Sequence, residues 1–297
     1  MIKASDIGRF LGGLLLVAAI GLVVWWRVTS HAPAHPTPVP PPARAPVMGC
    51  GGVGWEAAAA ANTQSLDHLA WSPFGRVEVG WAIYAPLIER EIGYACPPDT
   101  QGFAGAYAPW QHRHGRPIDG VFKPDDFRQM LAQMELRRPF VQLTAKGICP
   151  PPPAPQALAA AAPDEAYGGK AIQLRAGALA AYRRMVAAAR AEGLAKGADV
   201  LKLVSGYRGP AEEAGRCADG GCNTVTRAHC SAHRTGLAVD LYLPHSPGVD
   251  PTSTDDANRL AMARSPEYRW LVANADRFGF LPYPYEPWHW EWTGEPP

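Results

Sequence analysis

Two short polar motifs near the C-terminus constrain this 297-residue chain more than any other feature. The first spans residues 231–240 and contains His233 and Asp240, and the second is Glu286-Pro-Trp-His289. Zinc in catalytic sites takes three protein ligands, often histidine and carboxylate, and keeps a fourth position for water. We therefore expect His233, Asp240 and His289 to hold one Zn²⁺ ion, with Glu286 as the general acid/base beside it.

Alternation of side chains predicts that both motifs lie on β-strands. Leu237 to Leu243 alternates between aliphatic and other residues, so Asp240 faces away from the aliphatic side. Gly236 allows the chain to bend before this strand, and the bend brings His233 to the side of Asp240. In the second motif tryptophans alternate with His289, so a strand there buries the tryptophans and aims His289 the other way.

Taken together, the motifs resemble the D-alanyl-D-alanine carboxypeptidase (VanY-like) family of zinc peptidases. That family carries Ser-x-His-x-x-Gly-x-Ala-x-Asp followed by Glu-x-x-His, and every fixed position is present here. A Ser-Gly-Tyr-Arg sequence ending at Arg208 and the segment 265–280 also match, so the resemblance runs from about Ala171 to Trp292. It implies that Arg208 binds the free carboxylate of the substrate, with help from Ser231.

The roles of these two residues have ordinary alternatives. A guanidinium fork suits a carboxylate, but Arg208 alone could equally form a surface salt bridge. Ser231 alone could be a loop or capping hydroxyl. Five residues after Arg208 this chain has Glu213, where the family often has Gln.

The resemblance implies a fold and a reaction. The expected fold is α+β, with a small antiparallel sheet and packed helices of the Hedgehog/D,D-peptidase type, preceded by a small helical domain and an N-terminal membrane helix. The expected function is a zinc-dependent D,D-carboxypeptidase that cleaves the C-terminal D-alanine from peptidoglycan stem peptides. The alternatives are an L,D-carboxypeptidase or a peptidoglycan endopeptidase on the same scaffold, and a non-catalytic cell-wall-binding protein with a structural zinc site.

The helical pattern of residues 51–137 predicts a small helical domain. The catalytic domain follows it, and we place that domain at residues 138–297. Trp110-Gln111 followed by Gly115 and by Asp119-Gly-Val-Phe122 resembles the small peptidoglycan-binding repeat. The alternative is a helical spacer in which Trp110 and Phe122 are core residues.

The N-terminus predicts attachment to a membrane. Residues 10–26 form an uncharged apolar run of 17 residues, with basic residues on both sides. We expect an uncleaved single-pass anchor within residues 1–31, and a cleaved signal peptide is the alternative. The proline-rich residues 32–50 predict an extended linker. The catalytic domain would then lie on the periplasmic, extracytoplasmic side.

Charge and cysteine content narrow the possible partners and compartment. The net charge of +1, from 28 basic and 27 acidic residues, gives no reason to expect a nucleic-acid partner. Six cysteines beyond an export segment predict disulfides. Cys217, Cys222 and Cys230 precede the His233 motif, so at least one bond should brace that loop, and a second metal site is the alternative. The sequence fixes neither the pairing nor the oligomeric state.

Overall fold

The computed structural model describes residues 50–218, 222 and 229–297. The predicted membrane anchor at residues 1–31 and the predicted linker, apart from Cys50, lie outside the described residues. Within the described ranges, no helix is long and apolar enough to cross a membrane. All of the described residues belong to one compact unit.

Helices dominate the first half of the described chain. They are α1 (Glu56–His68), α2 (Ala85–Ile92), α3 (Gln101–Arg113), α4 (Pro124–Leu136) and α5 (Pro139–Thr144). Two short antiparallel strands of two residues each, β1 (Ala70–Trp71) and β2 (Glu78–Val79), pair with each other. Proline stands in the first turn of α2, α4 and α5, where its missing N–H costs no helical hydrogen bond.

The second half mixes strands and helices. Its elements are β3 (Leu158–Ala160), β4 (Gln173–Arg175), α6 (Ala176–Ala191), β5 (Leu203–Ser205), α7 (Pro210–Ala218), β6 (Ala238–Leu241), α8 (Asp256–Arg264), α9 (Pro266–Asn274), β7 (Phe280–Tyr283) and β8 (Glu286–Trp292). A short 3₁₀ helix, Ala232–Thr235, precedes β6. The predicted α+β class, with small antiparallel sheets and several helices, is confirmed for the described residues.

A four-stranded antiparallel sheet, in the order β5-β6-β8-β7, forms the centre of this half. Its inner strands place Val239 opposite Trp290, and both side chains are fully buried. Helices α6, α8 and α9 add Leu179, Met262 and Leu271 to the same core. This packing fixes β6 and β8 rigidly, and these are the strands that carry the polar motifs.

The residues that resemble a peptidoglycan-binding repeat lie inside the protein. Trp110, Gln111 and Phe122 are all buried. The ring of Phe122 stacks on Trp81 at a centroid distance of 4.2 Å, and the Gln111 side chain accepts a hydrogen bond from the backbone N–H of Gly120 at 2.9 Å. These side chains therefore stabilise the helical region from within, and peptidoglycan binding by residues 51–137 stays a prediction.

Three disulfides pair the six cysteines. They are Cys50–Cys96, Cys149–Cys230 and Cys217–Cys222. The prediction that a bond braces the loop before His233 is confirmed, because Cys230 lies three residues before it. The structure joins Cys217 and Cys222 in a disulfide, but their sulfur atoms and a ring nitrogen of His229 also lie within 4.8 Å of one another, so the alternative of a second metal site stays a prediction.

Candidate metal centre

The structure brings the first motif together by a turn. His233 lies in the 3₁₀ helix, whose N-cap is Ser231; the Ser231 hydroxyl accepts a hydrogen bond from the His233 N–H at 3.3 Å. Gly236 ends this helix with a φ of +70°, a conformation that costs glycine little. The chain then enters β6 and presents Asp240. The predicted bend at Gly236 is confirmed.

Three side chains converge between β6, β8 and this turn. Asp240 stands directly opposite His289 across the antiparallel pair. One Asp240 oxygen is 3.0 Å from His289 Nδ1, and the other is 3.2 Å from His233 Nε2. Their potential ligand atoms all lie within 4.8 Å of one another, and all three residues are buried. The geometry is that of a small site for one cation.

Each histidine is oriented through its second ring nitrogen. His233 Nδ1 lies 2.7 Å from the carbonyl oxygen of Gly206, and His289 Nε2 lies 3.3 Å from an oxygen of Glu291. Such outer contacts fix the tautomer of a metal-binding imidazole and leave the other nitrogen for the ion. At Gly206 a Cβ atom would come within 2.7 Å of Ile172, so glycine is required for this close packing.

The electrostatics of the cluster favour a positive charge at its centre. Burial opposes ionisation of Asp240, but the two histidines outweigh it and hold the pKa of this carboxyl far below its usual range. Burial also disfavours the charged form of His289, yet hydrogen bonds to Asp240 and Glu291 raise the pKa of this imidazole to about 9. The cluster therefore attracts positive charge, as a cation site requires.

Glu286 reaches the same cleft through an irregularity in β8. Tyr283 of β7 pairs with Glu286, whereas Pro282 pairs with Trp290, so the residues between them bulge out of register. Glu286 and His289 are three residues apart and would face opposite ways on a regular strand, but both line the cleft. Burial raises the pKa of the Glu286 carboxyl to about 7.

The cleft has a volume of about 1140 Å³ and is lined by all six predicted site residues. They are Arg208, Ser231, His233, Asp240, Glu286 and His289. The structure thus places every one of them in a single cavity.

Arg208 is a buried cation with weak local partners. Its Nη1 lies 3.4 Å from the Ser231 hydroxyl. The closest ion pair formed by its guanidinium within the described residues is with the exposed Glu212, at 3.6 Å. Its Nε is buried without a hydrogen-bond partner there. Burial, reinforced by the nearby Arg216, lowers the pKa of Arg208. A guanidinium in this state is suited to an incoming carboxylate.

Sequence reasoning missed three supporting residues. Glu213 is buried and accepts a hydrogen bond from the Ser231 N–H at 3.0 Å while pairing with Arg234, so it anchors the loop. Glu291 supports His289, and its position two residues further along the same strand was a usable signal. Arg138, which pairs with Glu291, comes from a distant part of the chain and carried no signal.

Comparison with known families decides the class of this region. Residues 171–295 match the model of the VanY family, described as D-alanyl-D-alanine carboxypeptidase. Residues 171–295, which we call the VanY region, are therefore similar to the VanY family. The resemblance inferred from the sequence is confirmed, and the VanY region is a carboxypeptidase-type peptidase domain.

Solved structures similar to the chain include two peptidases. One is the LdcB LD-carboxypeptidase, with 26% identity over 48% of this chain and 70% of that one, at a TM-score of 0.36. The other is a mutant of the vancomycin-resistance D,D-pentapeptidase VanY in complex with Zn(II), with 22% identity over 48% of this chain and 83% of that one, at a TM-score of 0.30. Among curated proteins, none matches the chain.

Proposed function

We propose that this protein is a zinc-dependent D,D-carboxypeptidase that removes the C-terminal D-alanine from peptidoglycan stem peptides. The observation that carries the proposal is the convergence of His233, Asp240 and His289 in a cleft that also contains Glu286 and Arg208. The match of residues 171–295 to the VanY family supports the reaction class.

The donor set fits zinc. Two imidazoles and one carboxylate are common ligands of catalytic Zn²⁺, and three protein ligands leave a position for water or substrate. His233 and His289 each keep one ring nitrogen toward Asp240 and bond through the other to a supporting group. Zinc bound there would supply Lewis acidity, which lowers the pKa of water and polarises the scissile carbonyl.

Glu286 would move the protons of the reaction. As a carboxylate it accepts a proton from the attacking water, and as a carboxylic acid it returns that proton to the leaving amine. Its pKa of about 7, a result of burial, suits both transfers near neutral pH. The cleft position that it shares with His289 supports this role.

Arg208 and Ser231 would restrict the enzyme to free C-termini. The buried guanidinium of Arg208 can bind a terminal carboxylate through two hydrogen bonds, and the Ser231 hydroxyl lies beside it. A substrate anchored there presents its last peptide bond at a fixed distance from the candidate metal centre. This arrangement favours removal of a single residue over cleavage inside a peptide.

A location outside the cytoplasm agrees with the substrate and with the disulfides. Three disulfides are typical of an oxidising compartment. We extend the proposal to a single-pass membrane protein whose VanY region lies on the periplasmic side, within reach of peptidoglycan.

Mass spectrometry of purified muropeptides incubated with the full chain tests the function. We expect pentapeptides to lose one terminal alanine, with loss of activity on chelation and recovery when zinc is restored. Tetrapeptides shortened to tripeptides would assign the L,D activity instead, and cleaved cross-links would assign an endopeptidase. Trimming that persists unchanged in chelator would contradict the proposed metal dependence.

A further inference from the structure

We propose that Arg138, outside the VanY region, is a positioning residue for His289 and acts through Glu291. The inference rests on the proposed function, because it takes His289 to be a zinc ligand. Arg138 lies between α4 and α5, and Glu291 lies on β8, 153 residues later. The side chains of both are almost completely buried.

The contacts form a chain from the junction of α4 and α5 to the candidate metal centre. An Arg138 Nη2 donates to Oε1 of Glu291, and this same oxygen lies 3.3 Å from His289 Nε2. His289 Nδ1 then faces Asp240 at 3.0 Å. One carboxylate oxygen is thus shared between the guanidinium and the imidazole, so the position of Arg138 constrains the direction of the His289 ring.

Arg138 is itself held from three sides. Its Nη1 bonds to Glu135 at 2.5 Å, and its guanidinium carbon lies 4.6 Å from the centre of the Tyr283 ring on β7. With Glu291 held in place by this guanidinium, the Nε2 side of the His289 ring contacts Glu291, and Nδ1 is the ring nitrogen that faces Asp240.

Helix α5 also supplies part of the cleft wall. Phe140, Val141 and Thr144 of α5 line the cavity together with Arg138. The candidate site is therefore completed by residues that precede the segment matched to the family at residues 171–295. This juxtaposition makes the segment from Arg138 to Thr144 a structural part of the site.

Zinc affinity of the full chain tests the inference independently of peptidase activity. Arg138→Ala should weaken zinc binding about 10- to 100-fold, measured by competition with a chromogenic chelator, because supporting contacts of this kind contribute about that much to metal affinity. Arg138→Lys should recover part of the loss. Arg137→Ala is the matched control, since the adjacent Arg137 is exposed and pairs with Glu91 away from the cleft.

A second variant guards against loss of the fold. Removing Arg138 leaves the Glu291 charge buried and unpaired, so Arg138→Met combined with Glu291→Gln removes both charges at once. This double variant should remain folded by circular dichroism and still bind zinc about tenfold more weakly, because an amide oxygen is a weaker acceptor than a carboxylate.

In NMR spectra of ¹⁵N-histidine-labelled apoprotein, the hydrogen-bonded Nε2–H signal of His289 should be lost in Arg138→Ala.

The outcomes separate the two proposals. Equal zinc affinity in the wild type, Arg137→Ala and folded Arg138 variants would overturn the positioning role while leaving the proposed function intact, provided that His233→Ala abolishes binding. A folded wild-type chain that binds no zinc would overturn both. Weakened zinc binding in Arg138→Ala or in the folded double variant, with Arg137→Ala unchanged, would support the inference.

Discussion

Glu286 differs from the three candidate ligands in what its side chain contacts. The ligands bond to one another and to backbone or carboxylate partners, whereas Glu286 lines the cleft at the edge of the cluster. We therefore expect Glu286→Gln to lower kcat by about 100- to 10,000-fold, the range for losing a general base, and to change zinc affinity less than about threefold. Steady-state assays and chelator competition on the same sample check both. A variant that retains kcat would refute the proton-transfer role.

Arg208 is expected to affect substrate binding more than zinc binding. A hydrogen bond to a charged group contributes about 1.5–3 kcal/mol, so the loss of even one such bond in Arg208→Ala should raise KM about 10- to 150-fold for peptides with a free C-terminus. Arg208→Lys should recover only part, because it keeps the charge but loses the fork. Glu212→Gln is the control: Glu212 is the exposed partner of Arg208, and its loss should have little effect.

Peptides that differ only in their C-terminal group test the role of Arg208 more sharply. A peptide ending in an amide lacks the carboxylate, so the wild type and Arg208→Ala should process it equally slowly. A large difference between them on the amidated peptide would contradict carboxylate recognition and favour a structural salt bridge.

At the residue level, the sequence predicted the candidate metal ligands better than the residues that hold those ligands in place. His233 and Asp240 belong to one short motif and Glu286 and His289 to another, so each could be recognised locally. The alternation in β8 placed His289 and Glu291 on one face. Glu213 was visible as a departure from the family pattern, but its bonds to the loop were not. The pairing of Arg138 with Glu291 is a tertiary contact across 153 positions, which no local pattern encodes.

The strands that carry the site are short, and packing against the rest of the fold holds them in place. Strand β6 has four residues, all buried, so packing against β8 and the core fixes it more than intrinsic propensity does. Side-chain alternation predicted this strand and the strand at β8. The register jump that turns Glu286 into the cleft depends on how β7 meets β8, and neither strand alone predicts it.

The Cys149–Cys230 disulfide should stabilise both the fold and the site. It joins the segment after α5 to the residue before Ser231 and spans 81 positions. Replacing both cysteines with serine should lower the free energy of unfolding by about 2–5 kcal/mol and raise KM, because the loop that carries Ser231 and His233 loses its tether. Chemical denaturation and steady-state kinetics measure the two effects.

The Cys50–Cys96 disulfide provides the control. It spans 46 positions and neither cysteine lines the cleft, so its removal should destabilise the protein with KM and zinc affinity unchanged. If removing Cys149–Cys230 affects stability but leaves KM and zinc affinity at wild-type values, the bond has no role in positioning the site.

At the scale of the molecule, the helical region and the VanY region share a buried polar network. Arg259 of α8 is fully buried and bonds to Tyr84 Oη at 2.6 Å, to Glu78 at 3.2 Å and to the carbonyl oxygen of Tyr285 at 2.8 Å. The sequence predicted two domains because helical patterns in residues 51–137 precede the motifs of the catalytic domain. The division into residues 51–137 and 138–297 remains a prediction, but these contacts place both parts in one compact unit.

This network predicts that the two parts unfold together. Arg259→Ala leaves the buried Glu78 without its main counter-charge, so we expect a loss of about 3–5 kcal/mol in the free energy of unfolding. Hydrogen exchange measured by mass spectrometry should show protection falling together in α3 of the helical region and in β8 of the VanY region, because the contacts of Arg259 join these two parts of the protein. Arg183→Ala, which breaks a pair on the surface, should cost less than about 1 kcal/mol. Protection lost in α3 with β8 unchanged would mean that residues 51–137 form an independent domain, which unfolds separately from the VanY region.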